Sequence, residues 1–207
     1  MEPVEPKFKQ LLQGYIKFRN KYAIGDQYIM QHLAHNRQNP KAMVIACSDS
    51  RVDPSLILQC APGDLFVVRN VANIVPPYEK DEKHHGTSAA LEFAICFLKV
   101  NHLILLGHSQ CGGIEALLNQ GNAVKNDFIN NWVSVIKPND HNHDMHNTDN
   151  IDNYAKLALK QSYQNCMSFP WINDRVINQQ LFIHLWFFDI KTGLILSYDE
   201  QDAWVNL

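Results

Sequence analysis

Between residues 42 and 106, short apolar runs typical of strands are combined with a segment of helical spacing, and this pattern restricts the fold more than any other feature. Ala42–Cys47, Asp64–Arg69 and His102–Leu106 have apolar centres typical of buried strands. Thr87–Lys99, which precedes the third run, has the apolar spacing of a helix. Strands that alternate with helices pair in parallel, because each connection returns the chain to the same end of the sheet. The sequence therefore predicts an α/β fold with a mostly parallel central β-sheet flanked by helices.

The first part of the chain has a different periodicity, with apolar residues recurring at helical spacing over residues 6–36. Gly25 and Asp26 interrupt this pattern, and Asp26 is predicted to cap the second of two helices. A chain of 207 residues, of which 46% are hydrophobic, can bury one sizeable core. We therefore expect a single domain over residues 1–207, made of an N-terminal helical arm (1–36) and an α/β core (37–207).

The C-terminal part completes the predicted core. The polar stretch Asn139–Asn150 lacks apolar periodicity and predicts a solvated loop. Ile151–Cys166 predicts a helix. Leu181–Ile190 and Leu194–Tyr198 are separated by a short Lys-Thr-Gly turn, so they predict a hairpin at the edge of the sheet.

Composition excludes several classes of partner. The net charge of −3, without clusters of Lys and Arg, argues against nucleic acid as the main partner. The apolar runs are too short to span a bilayer, and the acidic start of the chain does not resemble a signal peptide. The five cysteines form an odd set that indicates reduced thiols. We expect a soluble, cytoplasmic protein without a membrane partner, in which Cys60, Cys96 and Cys166 serve as packing residues.

Metal-ligating side chains follow two of the predicted strands. His108 and Cys111 are three residues apart where the third strand leads into a helix, and Cys47 closes the first strand. His108 and Cys111 taken alone are typical of a core histidine and a small buried cysteine. Because the carboxyl ends of parallel strands meet at one edge of the sheet, the three residues together predict one metal site. Two thiolates and one imidazole suit zinc and leave a fourth position open, as in catalytic sites.

A carboxylate and a guanidinium lie close to the first of these cysteines. Asp49 and Arg51 are two residues apart in a polar turn after Cys47. Such a pair keeps the carboxylate ionised and oriented, so Asp49 is placed to accept a hydrogen bond from water at the metal. Alone, the same residues are typical of an ordinary turn with a local ion pair.

The two motifs together resemble the signature of the β-carbonic anhydrases. The first is Cys47-Ser-Asp-Ser-Arg51, and the second is His108-x-x-Cys111-Gly-Gly. The resemblance also covers residues 62–73 and 86–93 and, more weakly, 183–193, so that it spans most of the chain from residue 38 onward. It implies zinc-dependent, reversible hydration of carbon dioxide to bicarbonate and a proton by attack of zinc-bound hydroxide. That activity is a carbonate dehydratase, a lyase, with a role in carbon utilization.

The resemblance also implies roles for individual residues. Asp49 and Arg51 correspond to the catalytic dyad, and one Zn²⁺ per chain is held by Cys47, His108 and Cys111. A tyrosine of plant-type members is replaced by Phe93, which removes a hydroxyl from the substrate pocket. The residues that are expected to bind or surround the substrate are Gln38, Phe66, Val71, Phe93 and Gly112.

Two positions beside the first cysteine distinguish two structural types within the family. One type has tryptophan and glycine where this chain has Val44 and Ala46. This chain, which also has Gln38, resembles the other, plant-like type. We therefore expect Asp49 to stay paired with Arg51 and the fourth zinc position to be open to water. The resemblance further implies a homodimer or homotetramer whose N-terminal arm crosses to a neighbour, with the site at the subunit interface.

Other functions and sites stay open on the sequence alone. A hydrolase of carbon disulfide or carbonyl sulfide could share the same zinc motifs. A zinc-stabilised scaffold would need neither Asp49 nor Arg51, and a nucleotide-binding module would need a longer glycine-rich loop than Gly112-Gly113. His84 and His85 could shuttle protons or lie in a surface loop, and the surface loop is favoured. His141, His143 and His146 could form a second metal site or be solvated, and solvation is favoured. His184 is expected to be a satisfied core histidine.

Overall fold

The computed structural model describes residues 6–24, 29–81, 83–119, 127–136 and 148–207. The chain divides into two compact units, of which one comprises residues 1–39 with 61–63 and the other comprises residues 40–60 with 64–207. The single domain expected for residues 1–207 stays a prediction. Within the described ranges, no helix has both the length and the apolar character needed to cross a bilayer.

The first unit contains two helices, α1 (Pro6–Tyr22) and α2 (Ile29–Asn36), in the region where helices were predicted. The predicted N-cap Asp26 lies outside the described residues. Within this unit, Gly63 has a φ of +97° and packs against the Leu33 side chain, a conformation that favours glycine. A row of apolar side chains on α1 is exposed: Phe8, Leu11, Leu12, Tyr15, Ile16 and Phe18.

The second unit is built on a six-stranded sheet with the order β2-β1-β3-β4-β5-β6. The first four strands in this order are parallel, whereas β5 and β6 continue the sheet in antiparallel fashion. The predicted mostly parallel sheet and the hairpin of β4 and β5 are thus confirmed. Contrary to the prediction, the hairpin does not form the edge of the sheet, because β6 pairs with β5 beyond it. The strands are β1 (Ala42–Cys47), β2 (Leu65–Asn70), β3 (His102–His108), β4 (Phe182–Phe188), β5 (Ile195–Tyr198) and β6 (Trp204–Asn206).

Helical connections return the chain between parallel strands. The helix predicted over 87–99 consists of an α-helix followed by a π-helical turn, and the last long helix begins three residues earlier than predicted. The sequence did not predict α3, α6, α8 or β6. The helices are α3 (Pro54–Ile57), α4 (Gly86–Glu92), the π-helical turn (Phe93–Phe97), α5 (Gly112–Leu118), α6 (Ile129–Val133), α7 (Thr148–Met167) and α8 (Pro170–Ile177). A 3-10 turn (Val71–Asn73) follows β2.

Both faces of the central strands are buried, which explains their continuous apolar sequences. On β1, Met43 and Ile45 contribute to the larger core cluster, whereas Val44 and Ala46 belong to a second cluster on the opposite face. All four side chains are fully buried. This arrangement is expected for parallel strands covered on two sides, and it holds the ends of β1 and β3 rigidly.

Close packing after β3 requires glycine at one position. A Cβ atom built on Gly113 would lie 2.7 Å from Val71 Cγ1, 2.9 Å from Ala72 Cβ and 3.1 Å from the Ala72 backbone nitrogen. Ala72 itself has a φ of 63°, so the 3-10 turn that it belongs to has little freedom to move away. The start of α5 therefore lies directly against the turn that follows β2.

Gly113→Ala is expected to lower the free energy of unfolding by about 1–3 kcal/mol, the usual cost of overpacking. Gly112→Ala is the matched control, because a Cβ there meets nothing within 4 Å. Alanine favours the helix by about 0.5–1 kcal/mol relative to glycine, so this control should be neutral or slightly stabilised. Urea unfolding of both variants at saturating zinc gives the comparison, and equal stabilities would contradict the close approach.

Candidate active site

Three potential metal ligands meet at the carboxyl ends of β1 and β3. Cys47 is the last residue of β1, His108 is the last residue of β3, and Cys111 caps the N-terminus of α5. Their ligand atoms all lie within 4.8 Å of one another, and the two sulfur atoms are 3.9 Å apart. The three side chains are at least 96% buried, since their exposed fractions are 4%, 0% and 1%. The predicted cluster is thus brought together in a site closed to solvent on most sides.

The imidazole of His108 is oriented as a ligand would be. Its Nδ1–H donates to the Ser109 carbonyl oxygen at 2.8 Å, which leaves Nε2 as the atom with a free lone pair. Nε2 is buried and has no partner in good hydrogen-bond geometry among the described residues, although His108 is close enough to Cys47 to lower the pKa of that thiol. A buried nitrogen without a partner is costly, and a metal ion beside the two sulfur atoms would satisfy it.

Backbone N–H groups surround the two sulfur atoms. Cys47 accepts from the N–H groups of Asp49 and Ala72, and Cys111 accepts from those of Gly113 and Ile114. The hydrogen bond from the Cys111 thiol lowers the pKa of Cys47 far below its usual value, whereas the same contact and burial raise the pKa of Cys111. Two sulfurs and one imidazole nitrogen fit zinc, with a fourth position left for another ligand.

Asp49 and Arg51 form a two-point ion pair beside this cluster. Arg51 Nε donates to Asp49 Oδ1 at 3.0 Å, and Nη2 donates to Oδ2 at 2.6 Å. The Arg51 backbone N–H also donates to Oδ1 at 2.9 Å. These bonds hold the pKa of Asp49 well below its usual value, so the carboxylate is ionised. The predicted pairing is confirmed, and it places a fixed carboxylate in the loop that follows Cys47.

Arg69 supports this loop, a role that the sequence analysis missed. Its guanidinium donates to the Cys47 carbonyl oxygen at 3.0 Å, to the Asp49 carbonyl oxygen at 2.6 Å and to Asp53 Oδ2 at 2.9 Å. Asp53 in turn caps α3 through the N–H groups of Ser55 and Leu56. The sequence shows only that Arg69 stands at the end of a predicted strand. Which groups its guanidinium contacts depends on the register between β1 and β2.

A second loop, between β3 and α5, is fixed by two contacts. Gln110 has a φ of 53°, its N–H donates to Asp152 Oδ1 at 2.7 Å, and its carbonyl oxygen accepts from Arg51 Nη2 at 3.2 Å. Because Gln110 precedes Cys111, these contacts hold one zinc ligand against the Asp49–Arg51 pair. Asp152 was predicted only as part of a helix.

Of the predicted substrate residues, the structure brings Val71 and Gly112 to the cluster. Val71 follows the residue that pairs with Cys47, and its carbonyl oxygen accepts from Trp132 Nε1 at 2.8 Å. Gly112 follows Cys111 directly, at the start of α5. Both therefore lie beside the ligands, Val71 as an apolar wall and Gly112 as an open backbone position.

Phe66 and Phe93 lie together elsewhere in the same chain. Their ring centroids are 5.9 Å apart, and Phe66 is in register with Met43, four residues before Cys47. Four residues of strand span about 13 Å, so these rings are remote from the cluster of their own chain. Gln38 belongs to the first unit, so its role at the site stays a prediction.

The remaining candidates have different surroundings. Cys166 is fully buried and Cys60 half-buried, whereas Cys96 is exposed, so the prediction that Cys96 serves as a packing residue is wrong. The Nε2 atom of His184 lies 3.0 Å from His102 Nδ1, which agrees with the predicted satisfied histidine. His141, His143 and His146 lie outside the described residues.

Comparison with known proteins identifies the same family that the two sequence motifs resemble. A family model described as carbonic anhydrase matches residues 42–195. Beta carbonic anhydrase 3 of Arabidopsis thaliana is 35% identical over 193 residues, which cover 89% of this chain and 74% of the relative. The solved structure of the beta-carbonic anhydrase CcaA is 32% identical, with a TM-score of 0.86, and covers 97% of this chain and all of that chain.

A third similar protein is described as one of two tetrameric beta-carbonic anhydrases from Sordaria macrospora. It is 29% identical, with a TM-score of 0.79, over 93% of this chain and 97% of that chain. The chain belongs to the carbonic anhydrase family and to its β class. It is a zinc enzyme that catalyses the reversible hydration of carbon dioxide, and its Cys47, His108 and Cys111 cluster is able to hold the metal.

Cys47→Ser and His108→Ala are each expected to reduce bound zinc from about one per chain to background, because structural and catalytic zinc sites lose the metal with their ligands. Cys60→Ser is the matched control, since this half-buried thiol lies outside the cluster. Atomic absorption on purified protein measures the metal, and circular dichroism checks the fold. Full zinc content in folded Cys47→Ser would contradict the assignment.

Proposed function

We propose that carbon dioxide is hydrated at the Cys47, His108 and Cys111 centre, with Asp49 orienting the attacking water and Arg51 holding Asp49 in place. The observation that carries this proposal is the two-point ion pair within two residues of a ligand. When bound, zinc supplies the Lewis acidity that lets water ionise near neutral pH. The residues of the chain then have to position water, carbon dioxide and a proton.

Asp49 serves as the hydrogen-bond acceptor for the attacking water. Arg51 keeps the carboxylate ionised, so that it accepts rather than donates. A water molecule that donates to Asp49 has its lone pair directed away from the carboxylate and toward carbon dioxide. Because Arg51 is itself anchored on Gln110, the acceptor is held in place before substrate arrives.

Carbon dioxide is small and apolar, and the wall beside the ligands has the same character. Val71 is fixed from two sides, by the Trp132 hydrogen bond and by contact with the position of Gly113. An apolar wall can hold carbon dioxide beside the ligands without competing for the hydrogen bonds of the attacking water.

Asp49→Asn is expected to reduce kcat/KM for carbon dioxide hydration by about 100-fold or more, the scale of a lost acid–base or orienting group. Zinc content should not change, because the substitution keeps the backbone N–H that donates to Cys47. Stopped-flow measurement with a pH indicator gives the rate. The control is Asp174→Asn, an exposed carboxylate on α8.

Full hydration activity of zinc-loaded Asp49→Asn would overturn the role of Asp49. A parent enzyme that carries zinc but hydrates no carbon dioxide at any pH would instead point to a hydrolase of carbon disulfide or carbonyl sulfide, or to a silent scaffold.

We also propose that the chain works as a homodimer or homotetramer. The exposed apolar row on α1 needs a partner, since large exposed apolar patches mark interaction surfaces. The edge strand β2 offers a second surface, where Val67 is 37% exposed and the nearby Phe97 is 70% exposed. The Sordaria macrospora proteins are described as tetrameric, which supports the same expectation.

Pairing of two β2 edges would give Phe66 and Phe93 a place at an active site. Edge strands related by a two-fold axis run antiparallel, so the start of one β2 lies beside the carboxyl end of the other. Phe66 is near the start of β2, and Cys47 is in register with the end of β2. These aromatic rings would thus line the site of the neighbouring copy, although they are remote from their own.

Val67→Lys is expected to at least halve the mass of the assembly, because a lysine on an edge strand blocks strand pairing. If Phe66 and Phe93 complete a neighbour's site, the same variant should lose activity while it keeps zinc. Sedimentation velocity measures the mass. Leu194→Lys, at the turn near the opposite edge of the sheet, is the control and should leave the mass unchanged. An unchanged mass for Val67→Lys would exclude the β2 interface.

We further propose a cytoplasmic location and a role in carbon utilization. The support for the location is that all five cysteines are free thiols, as expected in a reducing compartment. The support for the role is the reaction itself, which interconverts the two inorganic forms of carbon.

A further inference from the structure

A histidine–aspartate pair lies outside the metal centre, at the start of α4. His85 Nε2 forms a hydrogen bond with Asp81 Oδ1, and the two side chains are only 28% and 35% exposed. The Lys83 backbone N–H donates to the same carboxylate oxygen at 2.9 Å, and Lys83 Nζ lies 3.4 Å from Oδ2. The imidazole is therefore held in a defined orientation on a half-buried surface rather than free in a loop.

His85 stands between two cavities. One, the Val71 cavity, has a volume of about 760 Å³ and is lined by Val71, Thr87 and Trp132 together with His84 and His85. The other, the Asp81 cavity, has a volume of about 390 Å³ and is lined by His85 with Lys80, Asp81, Lys83 and Glu92. His85 and Glu79 line both cavities, and the His85 ring is held in place between them by Asp81.

The Val71 cavity borders the metal centre. Val71 also packs on Gly113, two residues after Cys111. Thr87 Oγ1 accepts from Asn70 Nδ2 at 3.3 Å, and the Asn70 carbonyl oxygen accepts from the Ser48 N–H at 2.9 Å, next to Cys47. One side-chain hydrogen bond and one backbone hydrogen bond thus lead from the lining of the cavity to Ser48, the residue that follows Cys47.

Hydration of carbon dioxide produces a proton that must leave the site at every turnover. One CO2 and one water give one bicarbonate and one proton. The nearest titratable groups are already engaged, since His108 is a ligand candidate and Asp49 is paired with Arg51. A separate imidazole suits the transfer, because one ring nitrogen can take up a proton while the other releases one.

We propose that His85 carries the proton of carbon dioxide hydration from the Val71 cavity to the Asp81 cavity, with Asp81 as the residue that positions its ring. The proposal rests on the proposed function. The Nδ1 atom accepts the proton from water in the Val71 cavity, and the resulting imidazolium gives a proton to buffer in the Asp81 cavity. One proton enters at Nδ1 and one leaves from Nε2, so the ring is neutral again but carries its proton on Nδ1. Proton exchange with water returns that proton to Nε2, where Asp81 accepts it, before the next turnover.

The charges around His85 agree with this transfer. The hydrogen bond from His85 lowers the pKa of Asp81 to about 2, so Asp81 stays an anion and stabilises the imidazolium. The other charged or titratable groups come from the loop before α4 and from α4 itself. They are Tyr78, Glu79, Lys80, Lys83, His84 and Glu92.

The test separates proton transfer from hydration. In dilute buffer, His85→Ala should lower kcat by about tenfold to 100-fold, within the range of general acid–base groups. The ratio kcat/KM, which does not include proton release to buffer, should stay within about twofold of the parent value. Added imidazole or concentrated buffer should restore kcat, because a diffusing base replaces the missing ring. His84→Ala, which also lines the Val71 cavity, is the matched control and should show none of these effects.

A second readout is independent of turnover. The His85 ring should give a titrating imidazole resonance by NMR, assigned through its loss in His85→Ala, and Asp81→Asn should displace that resonance. Zinc content should be equal in all variants.

The proposed proton transfer by His85 is overturned, and the proposed function is not, if the parent is active and His85→Ala keeps its kcat in dilute buffer. The same holds if added imidazole does not restore the kcat of His85→Ala. A ring that does not titrate overturns the proton transfer as well. A zinc-loaded parent without hydration activity would overturn the proposed function and the proton transfer with it.

Discussion

The active site depends on the pairing of β1 with both β2 and β3. The register aligns Ala46 with Leu106 and Cys47 with Asn70, so that the chain leaves all three strands at the same edge. Cys47 and His108 then meet although 61 positions separate them in the sequence. Every other part of the site is arranged around this edge: the Asp49 loop, the cap of α5 and the turn at Val71. A slip of one residue in β1 would turn Cys47 to the other face of the sheet.

Two arginines fix the loops at this edge by hydrogen bonds. Arg69 holds the backbone of the Asp49 loop from β2, and Arg51 joins the same loop to the Gln110 carbonyl oxygen before α5. Because each planar guanidinium donates to several oxygens, a small number of side chains fixes the relative position of ligands and carboxylate. This rigidity suits a reaction in which the residues position water and substrate rather than form covalent bonds.

The sequence predicted the fold class and the metal cluster well, since both depend on local patterns. Buried strands have continuous apolar runs, and Cys47, His108 and Cys111 sit at their ends. The role of Arg69 was not predictable, because its partners are set by the strand register and not by neighbours in sequence. The π-helical turn at Phe93–Phe97 was not predicted either, because its apolar spacing differs from that of an α-helix by a single residue. The relation of His85 to two cavities required the three-dimensional arrangement.

The four backbone N–H groups around Cys47 and Cys111 have a consequence for how the centre responds to mutation. Two thiolates donate more electron density to a metal than imidazoles do, which weakens its attraction for further electrons. N–H groups that point at the sulfurs withdraw part of that density and leave the metal more electrophilic. Because these donors belong to the main chain, side-chain replacement does not remove them as long as the two turns keep their conformation. The effect of these N–H groups on the electron density of the sulfur atoms therefore depends on the fold, and it can stay constant while the surrounding side chains change.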